Sequence, residues 1–88
     1  MVQLLTPDRA AVEAALDGVP DPRTGEGLIT AGVVRKLELG FGRVAARLEV
    51  PADAMAAYGG VPRAAEEAVR AVPGVRRAHI VLAPATIR

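Results

Sequence analysis

Single copies dominate the residues that could do chemistry. The chain has one histidine, His79, and one tyrosine, Tyr58; cysteine, serine, asparagine and tryptophan are absent. A nucleophile held by a base and an orienting group cannot be assembled from these parts. His79 has neither a second histidine nor a suitably spaced carboxylate, which argues against a zinc or non-haem iron site. The adjacent Glu66 and Glu67 point away from each other on a helix. Each has an arginine four residues away (Glu66 with Arg70, Glu67 with Arg63), the spacing of exposed ion pairs. Asp17 and Asp21 flank a proline-rich loop, where capping or solvated roles are expected. Phosphate-binding loops place a glycine-rich turn at the start of a helix. Here Gly25-Glu26-Gly27 and Gly40-Phe41-Gly42 both precede strands, and no Walker lysine follows either. The expectation is a chain without catalytic, cofactor-binding or metal-binding residues: not an enzyme.

One segment stands out. Residues 19–27 hold Pro20-Asp21-Pro22-Arg23-Thr24-Gly25-Glu26-Gly27, followed by Ala31-Gly32-Val33-Val34. Prolines restrict φ and glycines allow sharp reversals, so an ordered loop is predicted. Two readings are open, a rigid connection from helix to strand and a preformed recognition surface. The candidate interaction residues are Asp21, Pro22, Arg23, Thr24, Gly25 and Gly32, with Asp21, Arg23 and Thr24 offering polar contacts.

The elements that must position this loop follow from periodicity. Thr6-Pro7-Asp8 predicts a helix start with Thr6 as N-cap and Pro7 in the first turn. Ala11, Val12, Ala15 and Leu16 then mark a helix over about 7–17. Residues 28–30 are a candidate short strand. From Val33 the period changes to two, predicting strands at 33–39 and 43–50 joined as an antiparallel hairpin. Pro51 stops the second strand, and the alanine-rich stretch 52–60 allows one helical turn. Val61, Ala64, Ala65, Ala68, Val69 and Val72 form the apolar stripe of a second helix. Residues 75–83 alternate as a final strand ended by Pro84, and 84–88 are expected to be a tail or the start of a linker. Residues 1–83 therefore form one α/β (α+β) domain of order α-β-β-β-α-β. Two helices lie on one face of a small mixed sheet of three to four strands. Residues 43–83 form a βαβ unit, expected to be right-handed. The last strand can pair on either side of the hairpin.

Composition sets the outer limits. Eighty-eight residues, 51 % hydrophobic but only 2 % aromatic, imply one domain with a thin core. No apolar run approaches the length of a bilayer span, and no signal peptide opens the chain, so a cytoplasmic location without membrane contact is expected. The net charge of +1 gives no global field for nucleic acid. Arg35-Lys36 and Arg76-Arg77 would join into a basic patch only if their strands were neighbours. RNA binding is disfavoured because the strands lack stacking aromatics.

Asp21-Pro22-x-x-Gly25, followed by Leu28-Ile29-x-x-Gly32-Val33-Val34, resembles the "DPE-x-G … I-V-x-L-G-L-V" signature of a small iron–sulfur assembly domain. That domain stands alone in PaaD-like and SufT-like proteins. It also forms the N-terminal domain of Mrp/ApbC-type P-loop ATPases, carriers of iron–sulfur clusters. The similarity continues through the glycine hairpin into the helix at 64–72 and Pro73-Gly74-Val75, which is similar to the family's "L-P-G-V". It covers about residues 8–83. Arg23 replaces the family's glutamate and Ala31 its leucine. Where many single-domain members carry a cysteine before a proline, this chain has Val50-Pro51. These departures resemble the ATPase-linked branch. The resemblance implies a non-catalytic accessory domain, with an iron–sulfur cluster and ATP belonging only to a linked domain. The partners it implies are iron–sulfur scaffold or client proteins, or its own ATPase domain. A stand-alone interaction module in a maturation pathway is the alternative.

Overall fold

Apolar residues at helical spacing fold the start of the chain, and alternation folds its middle and end. The computed structural model describes residues 7–85. Helix α1 spans Arg9–Asp17 and buries Val12 and Leu16. It begins two residues later than expected. Pro7 is buried, packed beside Gly74, and Asp8 takes the extended N-cap position. The Asp8 carbonyl accepts the Val12 N–H at 3.0 Å, while its side chain makes no capping bond. The expected cap, Thr6, lies outside the described residues.

Strand β1 (Val34–Gly40) pairs antiparallel with β2 (Arg43–Val50), placing Leu39 opposite Val44 and Gly40 opposite Arg43. A bulge between Val34 and Lys36 shifts the register once. After β2 the alanine-rich stretch forms a 3-10 helix over Ala52–Tyr58, longer than the single turn expected. Helix α2 follows at Val61–Arg70, and strand β3 at Arg77–Pro84. β3 runs parallel to β2, so the sheet order is β1-β2-β3 and the hairpin's second strand is central. This settles which side the last strand takes. The sheet also runs slightly past the expected boundary: Pro84 pairs with Val50, and the Ala85 N–H donates to the Val50 carbonyl at 2.7 Å. The remainder of the expected tail, residues 86–88, lies outside the described residues.

The candidate strand at 28–30 does not form. Only an isolated bridge between Pro20 and Gly27 is made there. The chain then turns, with the N–H groups of Ala31, Gly32 and Val33 donating to the carbonyls of Gly27, Ile29 and Leu28. Three residues, Leu28-Ile29-Thr30, are too short to define a sheet face, and local turn bonds satisfy the backbone instead.

Val44, Ala46, Leu48 and Val50 alternate inward along β2 and meet Ile80 of β3. Val12 and Leu16 of α1, and Val61, Ala65 and Val69 of α2, cover this face. The result is an α+β domain with a three-stranded mixed sheet. Arg63 and Glu67 pair at 3.8 Å on the exposed side of α2, a contact worth only a few tenths of a kcal/mol. Glu66 does not follow the same rule. Its Oε2 accepts the Ile80 N–H of β3 at 3.2 Å, because α2 lies against that strand. At the opposite edge, Arg9 of α1 donates to the Leu37 carbonyl of β1 at 3.3 Å. No helix among the described residues is long and apolar enough to cross a membrane.

Candidate functional site

The loop between α1 and β1 is built around two aspartates. Asp17, the last residue of α1, accepts the Thr30 N–H at 2.9 Å and the Thr30 hydroxyl at 3.1 Å. This folds the far half of the loop back onto the helix end. The approach is so close that a Cβ on Gly27 would overlap the Asp17 carbonyl oxygen. Asp21 organises the near half. Its Oδ2 accepts the N–H groups of Arg23 (3.1 Å) and Thr24 (2.9 Å) and the Thr24 hydroxyl (3.1 Å). Thr24 Oγ1 in turn accepts the Glu26 N–H at 3.2 Å. Backbone bonds from Asp21 N–H to the Glu26 carbonyl and from Gly25 N–H to the Asp21 carbonyl close the turn.

The other oxygen of Asp21 is taken by Tyr58. The phenol donates to Asp21 Oδ1 from the end of the 3-10 helix. Asp21 is only 2 % exposed and Tyr58 is equally buried. Burial pushes the Asp21 carboxyl up, but the bonds from Tyr58, Thr24 and Arg23 outweigh it and hold the group below its ordinary value of 3.8. Burial, with the facing Asp21 carboxylate, pushes the Tyr58 phenol above its ordinary value of 10.0. At neutral pH the pair is therefore a carboxylate and a neutral phenol, with the proton on the donor. Among the described residues no buried side-chain polar atom lacks a partner.

The candidate interaction residues thus divide in three. Asp21 is the buried post of the loop, while Pro22, Arg23, Thr24 and Gly25 are exposed on its outer turn. Gly32 sits apart, exposed on the next turn with φ +79 and open space around it. Its requirement is the left-handed backbone, not close packing. Tyr58 escaped the sequence reading. It lies 37 residues from Asp21, and no motif links a tyrosine in an alanine-rich stretch to an Asp-Pro turn.

The basic patch considered for Arg35-Lys36 with Arg76-Arg77 does not form. Their strands flank β2 instead of adjoining. Lys36 lies level with Val81, four residues or roughly 13 Å along β3 from Arg77. Arg35 pairs with Glu49 at 4.0 Å and Lys36 with Glu38 at 3.4 Å.

The loop that carries the Asp-Pro signature is therefore an ordered unit between α1 and β1, closed by a side chain that follows β2. A family model described as "Iron-sulfur cluster assembly protein" matches residues 9–80, from the start of α1 to the middle of β3. The chain belongs to the iron–sulfur cluster assembly protein family. A comparison with curated proteins finds no match. Donor chemistry shows what this assembly domain can offer a cluster. The chain has no thiolate, and the described residues contain no group of three His, Asp or Glu side chains placed to hold a metal ion. His79 stands alone and exposed on β3. These residues do not fit a cluster as ligands.

Proposed function

We propose that this chain is a non-catalytic accessory domain in iron–sulfur cluster assembly or transfer, working in the cytoplasm as the N-terminal domain of an Mrp/ApbC-like carrier ATPase. Its outer loop turn, residues 22–25, contacts scaffold or client proteins or the linked ATPase domain. The supporting observation is the division within the loop. The buried Asp21, bonded by Tyr58, Arg23 and Thr24, satisfies the loop's polar groups internally and leaves Pro22, Arg23 and Thr24 at the surface. A turn ordered before binding loses little conformational entropy when a partner arrives. The cluster is cargo for cysteines elsewhere, and this domain contributes position and partner choice.

The test uses the natural reading frame that contains this chain. It is expected to continue past Arg88 into a P-loop and a Cys-x-x-Cys pair. In that protein, Arg23→Glu should slow cluster transfer to an apo-client about fivefold with thermal melting unchanged, as expected for an exposed contact. Transfer at the wild-type rate in the variant would sink the docking role of the loop. A frame ending at Arg88 would remove the ATPase assignment.

A further inference from the structure

At the opposite end of the sheet from this loop, charge is arranged differently. The β1–β2 hairpin tip carries Phe41, 76 % exposed. Beside it, the Gly42 carbonyl accepts two N–H groups, from Arg76 at 2.7 Å and Arg77 at 3.0 Å. That shared acceptor pins the start of β3 to the hairpin and sets Arg77 level with Arg43 of β2. Arg70, at the end of α2, joins Arg43, Arg76 and Arg77 around an open cleft of about 580 Å³. A second depression of about 470 Å³ shares Arg43, Arg76 and Arg77 and reaches Phe41. Among the described residues none of these four arginines is ion-paired. The one carboxylate in the cleft wall, Glu38, is engaged by Lys36.

We propose that this end of the sheet docks an acidic peptide segment of a partner protein. The segment's carboxylates pair with Arg43, Arg76 and Arg77, and one of its apolar side chains rests on Phe41. Four guanidinium groups without carboxylate partners among the described residues favour an occupant with several carboxylates, since guanidinium matches that group with paired hydrogen bonds. A peptide fits better than a polynucleotide for two reasons. Among the other described cations, Arg35, Lys36, Arg47 and Arg63 each face a carboxylate, Arg9 donates to the Leu37 carbonyl, and Arg23 lies on the loop at the other end of the sheet, so the cleft is not extended into a continuous track for a phosphate backbone. The sheet also offers no aromatic platform: Phe41 stands alone at a loop tip. This site is separate from the Asp21 loop and does not rest on the loop's proposed role.

The full 88-residue chain can be titrated with a fluorescein-labelled peptide of alternating Glu and Leu, followed by anisotropy and amide chemical shifts. Shifts should concentrate at residues 40–43 and 76–78. Arg76→Glu with Arg77→Glu should weaken binding about tenfold. Arg35→Glu with Lys36→Glu, the same change in net charge, should leave it within about twofold. Phe41→Ser, on an exposed side chain that does not hold the fold, should cost about threefold with unchanged melting, keeping the test readable if the double variant misfolds. The proposal is overturned by no binding at about 1 mM peptide, by equal weakening from both charge reversals, or by tighter binding of an oligouridylate than of the peptide.

Discussion

The two ends of the sheet use polar groups in opposite ways. At the end where β1 begins and β2 finishes, Asp17, Asp21, Thr24, Thr30 and Tyr58 are bonded to one another and to the loop backbone. At the hairpin end, about 24 Å away along β2 at the usual strand rise, Arg43, Arg70, Arg76 and Arg77 face solvent without carboxylate partners among the described residues. The first arrangement makes shape. The second leaves charge available. Substitutions of the buried, bonded side chains at the first end should therefore act on stability, whereas substitutions of exposed charges, Arg23 on the outer turn and the arginines of the second end, should act on recognition.

The sharpest way to break this contrast is Asp21→Ala. It leaves the Tyr58 hydroxyl and the loop N–H groups without their acceptor in a buried site, and about 3 kcal/mol of destabilisation is expected in urea melts. A loss below about 0.5 kcal/mol would mean that water replaces the carboxylate freely and that the loop is not locked. Gly32→Val comes next, at about 2 kcal/mol, because a β-branched residue is forced to φ +79 where nothing crowds it. Gly32→Ala should cost less by the same measurement, which separates backbone strain from side-chain shape. Tyr58→Phe should cost about 1.5 kcal/mol, as it removes one bond to a charged acceptor but keeps the ring in the core.

Acid and alkali probe the same pair from both sides. The Asp21 carboxyl titrates lower in the folded chain than in the unfolded one. Between the two values the unfolded state binds more protons, so the contribution is complete above about pH 4 and is lost as pH falls through the folded value. Tyr58 behaves conversely. Its raised value makes its contribution complete below about pH 10 and lost as pH climbs through the folded value. Tyr58→Phe should abolish the alkaline limb and move the acid limb to higher pH, both read from melting against pH. The smallest effect belongs to the other end: Phe41→Ser should change stability by less than about 0.5 kcal/mol. A loss like that of Asp21→Ala would erase the contrast between the ends.

Much of the scaffold was legible because it rests on repetition. Val44, Ala46, Leu48 and Val50 announce their strand by alternation, and Val61, Ala65 and Val69 their helix by spacing. The hairpin follows from the short glycine connection between two alternating runs. What escaped depends on chain segments meeting far from one another in sequence. Nothing in the Asp-Pro turn indicates that its carboxylate is closed by Tyr58, because the phenol is carried by a 3-10 helix 37 residues further along the chain, beyond β2. The arginine cluster was only half visible. Arg76-Arg77 is evident as a pair, but its companions Arg43 and Arg70 come from β2 and α2 through the parallel placement of β3. Residues 28–30 misled because two apolar residues and a β-branched threonine carry too little pattern to outweigh local turn bonds.

The bonds from Arg9 to Leu37 and from Glu66 to Ile80 have a consequence for many molecules at once. A three-stranded sheet has two outer strands, and each unspent backbone group on them is an invitation to a strand from a neighbour. Each helix here lends one charged side chain to an outer strand, filling a position through which a second copy would otherwise extend the ladder. A core so poor in aromatic bulk leaves little stability in reserve against such recruitment. Each of the two side chains thus occupies one backbone group on an outer strand that a neighbouring strand would need.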